Sequence, residues 1–390
     1  MPIWLNRANF YIVAWCIYST QGILFPKGFL FTQLLLFILL MVSLYYLLIA
    51  NTRYKLPVYF LGLNTLLGML FIYGLYLIIG GYNVADYSIA VPSYHYLKNI
   101  LISLSPIYPF FVFSKEGLIN EKFLRIWLFV LIGITVINYF QSYQEQLYLA
   151  MLNASKAEEF TINVGYGFLS LIPICVFLYK KPVLQYIALG ICMIFLFMAM
   201  KRGAIFIGVF CLFWFMWTNL KNTDFKKKVG IIFFSMALCL VGYLFVEKQI
   251  QESFYFQKRI ENTLDGNSSG RDKLYSRFVD YFWNETTSLQ FLFGSGANAT
   301  LKVSYNYAHN DWLEIAVNQG IFGLIVYIFY WFLCGKTCVS KKYDFHVKSA
   351  LQLLFMIYFL KTIFSMSYGS MGYIPMLSLG YCLAQEKENE

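Results

Sequence analysis

His309 stands just before a long apolar run, in AHNDWLEIAVNQGIFG from Ala308 to Gly323. Such a run reads as a helix that Asn310 or Asp311 can cap, with Glu314 three residues after Asp311 as the reciprocal partner. His309 then lies just outside a helix N-terminus, where the dipole favours anions and disfavours an imidazolium. A neutral imidazole beside an anion-friendly helix end is suited to take a proton from a sugar hydroxyl. A loop histidine with no chemistry would have the same neighbours, and His95 and His346 are read as that kind.

Cations accompany this histidine. Arg271 opens the polar stretch SSGRDKLYSRFVDYFW, from Ser268 to Trp283, in which Ser269 and Asp272 have capping-box spacing. There Tyr275, Phe278, Val279, Phe282 and Trp283 recur at three- and four-residue steps, while Arg271, Lys273, Arg277 and Asp280 stay off that face. The pattern predicts a helix lying in the headgroup plane. Lys201, Arg202 and Gly203 form a tight turn between two apolar runs, where a charge needs a partner or a ligand. An arginine there or at 271 can grip phosphate oxygens with its planar fork, or it can snorkel to headgroups. Lys361, inside an apolar run, and Arg277 and Asn310 are further candidate substrate contacts.

The elements that must hold these residues are membrane spans. Stretches of roughly 20 mostly apolar residues fall near 9–25, 28–50, 56–79, 96–114, 123–140, 161–179, 183–200, 203–219, 229–246, 312–334, 349–367 and 372–385. The expected fold is therefore an all-α integral membrane bundle of about twelve spans, one polytopic domain over 1–390, with a long loop at 247–311 that contains the amphipathic helix. Basic clusters at 53–55, 115–125, 180–181, 221–228 and 336–348 share one side, whereas the short loops of the other side hold only Lys27, Lys98, Lys156, Lys201 and Arg202. By the positive-inside rule both termini are cytoplasmic and the long loop is outside.

Composition agrees. The chain is 59% hydrophobic and 13% charged, about half the charge of a soluble domain, so lipid must solvate much of it. The net charge of +10 sits in short interhelical clusters and forms no stripe that could track a nucleic acid. The long loop contains no cysteine, and no CxxC pair or outward Asp-rich cluster suggests a metal site. The first apolar run reads as a retained signal anchor. A transporter would place charges deep in several spans and show paired repeats; here the notable charges other than Lys361 sit at the outer ends and no repeat is visible.

Three motifs together resemble the O-antigen ligase and O-antigen polymerase group, including its Wzy-C-type region. In that group an Arg-Gly pair opens a membrane helix, an SGR motif lies in the long periplasmic loop, and an H-[NS]-x-x-L-x-x-x-x-x-G-x-x-G pattern enters the next span. Here these are Arg202–Gly203, Ser269–Gly270–Arg271, and His309–Asn310 with Leu313, Gly320 and Gly323. The likeness covers roughly 185–335, and Lys201 departs from it, since relatives carry a small or hydroxyl residue there. The resemblance implies a metal-independent membrane glycosyltransferase of the bacterial inner membrane that uses undecaprenyl-diphosphate-linked oligosaccharides and needs no cofactor. It implies catalytic roles for His309 as base and for Arg202 and Arg271 on the diphosphate. Polymerase is favoured over ligase, with a lipid-linked glycan flippase as the alternative from another class. Membrane lipids, a chain-length regulator and a flippase are the partners it implies.

Overall fold

The computed structural model describes residues 6–26, 28–80, 91–152, 162–221 and 270–387, with scattered residues between 228 and 261. Every regular element among them is helical: α1 Arg7–Ser19, α2 Leu30–Arg53, α3 Val58–Ile79, α4 Tyr94–Leu104, α5 Ile107–Lys115, α6 Glu121–Leu152, α7 Gly165–Cys175, α8 Pro182–Met198, α9 Arg202–Lys221, α10 Arg271–Asp280, α11 Ser288–Phe293, α12 Ala299–Ser304, α13 Asp311–Val339, α14 Phe345–Phe364 and α15 Tyr373–Ala384. Helices are what an apolar chain must form in lipid, because no water is present to satisfy free backbone groups.

Among the described residues seven stretches are long and apolar enough to cross a bilayer: Leu30–Arg53, Val58–Ile79, Tyr94–Lys115, Glu121–Leu152, Arg202–Lys221, Asp311–Val339 and Phe345–Phe364. Gly165–Leu178, Pro182–Met198 and Tyr373–Ala384 are apolar but shorter, as is α1 at 13 residues. The chain is a multi-pass membrane protein. Half of the run expected at 229–246 falls outside the described residues. Pro173 lies inside α7, which tightens into a 3₁₀ turn at Val176–Leu178. The freed carbonyl of Cys175 accepts a hydrogen bond from Gln185 Nε2 at 3.0 Å. The segment expected as one loop at 247–311 contains, in its described part, three short helices.

The helices form two compact units: Met1–Leu36 with Gly117–Asn267 and Phe345–Ile357, and Phe37–Glu116 with Ser268–Asp344 and Tyr358–Glu390. In the first, α7 packs on α6, α8 and α9. Trp127 Nε1 donates to Asn9 Oδ1 at 2.8 Å, which ties α6 to α1. Gly208 lets α9 approach α8, since a Cβ there would lie 2.9 Å from Leu196. In the second unit α3 packs on α13 and α5 on α15. Small residues allow both contacts: Gly62 faces Tyr330 Cα, and Gly380 faces the Phe110–Phe111 backbone.

α13 is broken at Gly320, whose φ of 68° and ψ of −162° are not helical. The freed carbonyls of Val317 and Asn318 accept from the N–H groups of Ser295 and Gly296 at 2.9 and 3.0 Å. A Cβ on Gly320 would lie 2.5 Å from Gly294 N, and one on Gly323 would lie 2.3 Å from Gln319 Cβ. Gly320 thus makes a kink that docks the 292–296 segment, and Gly323 leaves room for Gln319 beside it. Gly320→Ala combines backbone strain with overlap and should cost about 2–5 kcal/mol. Gly68→Ala, which meets nothing within 4 Å, is the control. In thermal unfolding of detergent-purified protein, Gly320→Ala should melt well below wild type and Gly68→Ala should not. Equal melting temperatures would contradict the kink.

Candidate functional site

The second unit gathers most of the residues that the sequence singled out around the C-terminal end of α14. Arg271 is the first residue of α10, and its Nη1 donates to the carbonyl of Phe364 at 2.9 Å. Asn310 Nδ2 donates to the neighbouring carbonyl of Ile363 at 3.3 Å. A cation is well placed there, because the last carbonyls of a helix carry partial negative charge. Lys361, on the last turn of α14, is buried; its Nζ donates to the carbonyl and hydroxyl of Ser370 at 3.0 and 2.8 Å. Arg271, Asn310 and Lys361 therefore meet at one helix end, although they are far apart in sequence.

His309 is joined to this group through Tyr275. The Tyr275 hydroxyl lies 3.5 Å from the His309 carbonyl, which accepts its hydrogen bond. Burial pushes the Tyr275 phenol above its ordinary range, while the Arg271 charge and hydrogen bonds with Arg271 and Asn310 pull it back. One hydroxyl thus reports both Arg271 and the histidine loop. His309 is half-buried and has a φ of 52°. A left-handed conformation is uncommon for a residue other than glycine, and such strain persists only where its surroundings enforce it.

The enforcement comes from the first turn of α13. Asn310 is the N-cap: its Oδ1 accepts from the N–H groups of Trp312 and Leu313 at 2.9 and 3.2 Å. Asp311 is fully buried, and its carboxylate accepts from Ser367 N at 2.8 Å, Tyr368 N at 3.3 Å and the Tyr327 hydroxyl at 2.6 Å. Glu314 is not the expected capping partner. It points inward and accepts from Ala308 N at 2.9 Å, the Thr300 hydroxyl at 2.6 Å and Asn318 Nδ2 at 2.9 Å. Trp312 Nε1 donates to Thr362 Oγ1 at 3.0 Å, a further tie to α14. The two carboxylates thereby fix the residues on either side of the site, 300–308 through Glu314 and 365–370 through Asp311.

The amphipathic segment also differs from expectation. α10 begins at Arg271 with Gly270 at the N-cap position in left-handed conformation, and Ser269 lies outside the described residues. A π turn at Tyr281–Glu285 ends the regular helix, and the three-and-four spacing ceases to define one face. Phe278 is buried with Ala299, Ala308 and Val317, and Phe282 stacks near Phe291. Val279 and Trp283 remain exposed. Arg277 forms a forked ion pair with Glu285, with Nη2 to Oε2 at 3.1 Å, and a second contact to Asp280. Its side chain is occupied at the surface of its own helix, which gives it a local structural role.

Arg202 and Lys201 belong to the first unit. Arg202 is half-buried and opens α9, as the Arg-Gly motif requires. Met200 just before it has a φ of 53°. The turn is clasped by Ile162 N–H on the Ala199 carbonyl at 3.0 Å, by the Tyr139 hydroxyl on the Met198 carbonyl at 3.2 Å, and by Lys201 Nζ on Asn163 Oδ1. His346, in the same unit, stacks on Tyr179 with ring centroids 3.7 Å apart.

No curated protein matches the chain. Residues 187–328 match the family model described as O-Antigen ligase, Wzy_C. That range contains Arg202, Arg271, Tyr275, His309 and the kink at Gly320, and it leaves out Lys361 and the helices before 187. Over residues 187–328 this membrane protein is thus similar to the O-antigen ligase family, the group that its three motifs resemble.

Proposed function

We propose that the protein is an O-antigen polymerase that joins undecaprenyl-diphosphate-linked oligosaccharide repeat units at the periplasmic face of the inner membrane. The observation that carries this reading is the meeting of Arg271 and Asn310 on the last carbonyls of α14, beside the His309 loop that the Tyr275 hydroxyl bonds, largely within the stretch that matches the O-antigen ligase family. The description of that family favours a second reading, transfer of the finished glycan to a lipid A core.

In the proposed reaction an acceptor sugar hydroxyl attacks the anomeric carbon of the donor glycan. The new glycosidic C–O bond forms as the bond from that carbon to the diphosphate breaks. His309 takes the hydroxyl proton, and undecaprenyl diphosphate leaves with the bonding pair. Arg271 has five N–H donors, so its bond to Phe364 leaves others for the charge that grows on the leaving oxygen. An arginine in that role lets the reaction proceed without a metal. Arg202, in the other unit, enters on the resemblance alone. Asn310 and Lys361 serve as positioning residues, since each spends its side chain on the end of α14 or the loop after it.

His309→Ala should lower turnover about 10²–10⁴-fold and leave binding of the lipid diphosphate nearly unchanged. Arg271→Ala should weaken both, with Arg271→Lys restoring only part, because a point charge does not reproduce the fork. A fully active His309→Ala enzyme would remove the base from the mechanism. Chelator should leave activity with lipid-linked substrate intact, and loss restored by magnesium or manganese would refute metal independence. A cysteine replacing Asn306 should react with an impermeant maleimide in intact spheroplasts, and one replacing Lys341 only after permeabilisation; the reverse would invert the membrane orientation. On a lipopolysaccharide gel, a deletion strain should show core bearing a single repeat unit. A bare core with polymer left on the lipid carrier would select the ligase reading.

A further inference from the structure

The second unit holds a cavity of about 640 Å³ at the end of α13 away from His309. The stretch of α13 after the kink, 321–339, spans about 28 Å at about 1.5 Å per residue, close to the hydrocarbon thickness of about 30 Å. The cavity and His309 therefore belong to opposite membrane surfaces. Its lining includes Lys55, Lys115, Lys336, Lys342 and Lys387, against one carboxylate, Glu386.

This wall is constructed. Lys342 pairs with Glu386 at 3.1 Å and Lys387 with Asp344 at 2.7 Å, and the Lys387 N–H donates to the Lys342 carbonyl at 3.0 Å. These contacts pin the segment after α15 against the turn after α13. Across the cavity, Asn64 Nδ2 donates to Asn51 Oδ1 at 2.8 Å, and the Tyr108 hydroxyl anchors Asn64 from behind. Lys55, Lys115 and Lys336 have no carboxylate partner among the described residues; Lys115 lies 6.0 Å from the Phe111 ring centroid. Cations held around a concavity without counter-charge favour an anionic occupant.

We propose that this cavity binds the phosphodiester headgroup of an anionic membrane phospholipid. The lysines would hold the phosphate, as basic pockets between membrane helices do. The apolar part of the lining, Leu56, Pro57, Val58 and Leu61, gives the acyl chains a path. Leu61 is 57% exposed and opens onto the apolar face of α3. A free phosphate would use only the lysines, whereas a lipid uses both halves of the lining.

The test is native mass spectrometry of the full-length protein in detergent, titrated with phosphatidylglycerol or phosphatidylcholine. The variant Lys55→Gln/Lys115→Gln/Lys336→Gln removes the unpaired cations. The control Lys122→Gln/Lys180→Gln/Lys181→Gln removes the same charge from the first unit. Wild type and control should retain phosphatidylglycerol and discriminate against phosphatidylcholine, and the pocket variant should bind phosphatidylglycerol about a hundredfold more weakly, at about 1 kcal/mol per lysine. Equal binding by wild type and pocket variant would overturn the proposal, as would an equal loss in the control, which would mean bulk surface charge alone. Displacement of the lipid by millimolar inorganic phosphate would also overturn it, by showing that the cavity takes a free anion.

Discussion

Two carboxylates in the first turn of α13 hold the second unit's candidate site together. Asp311 and Glu314 are shielded from water, and a buried carboxylate is tolerated only when hydrogen bonds replace its hydration. Each is met by backbone N–H groups of a different segment, Glu314 by Ala308 and Asp311 by Ser367 and Tyr368. Those amides would otherwise be buried donors without acceptors. The desolvation cost of each carboxylate and the unmet need of each loop are thus relieved by the same bonds. His309 and Asn310 are strung between these anchors, which is why a histidine can stay in a left-handed conformation.

The kink at Gly320 is the geometric counterpart. An unbroken α13 would keep the Val317 and Asn318 carbonyls for its own ladder and leave Ser295 and Gly296 without partners. Breaking the helix hands those carbonyls to the 292–296 segment. The helix between the kink and Val339 then has the length of one membrane crossing, and the part before it is free to serve the site. Arg271 and Asn310 close the arrangement by satisfying the last carbonyls of α14.

Much of this architecture was legible in hydropathy, because a helix in lipid must be apolar over its whole length. The runs at 28–50, 56–79 and 203–219 became α2, α3 and α9 with small shifts at their ends, whereas that at 123–140 became an α6 that continues twelve residues further, to Leu152. What hydropathy missed were interruptions: Pro106 at the break between α4 and α5, Pro173 inside α7, and Gly320, whose kink is set by the tertiary contact with the 292–296 segment. In the site, Asn310 as N-cap was readable from its position before an apolar run. The roles of Asp311 and Glu314 were not, because their partners at 300–308 and 367–368 are set by the fold. Their signal was present all the same: two acids inside a strongly apolar stretch seldom face lipid. The apolar residues of the amphipathic pattern at 271–283 take two directions, Phe278 and Phe282 inward and Val279 and Trp283 outward, and a π turn at Tyr281–Glu285 ends the regular helix. Arg277 could have been assigned to Glu285 only by knowing that turn.

The claim that the α13 carboxylates hold the site is tested most directly by residue-resolved hydrogen–deuterium exchange in lipid nanodiscs, following the amides of Ala308, Ser367 and Tyr368. In the wild-type protein all three should exchange slowly. In Glu314→Ala the Ala308 amide should lose its protection while Ser367 and Tyr368 keep theirs, because Asp311 still holds them. Exchange of Ala308 in the wild-type protein as fast as in an exposed loop, or equal protection with and without Glu314, would contradict the account.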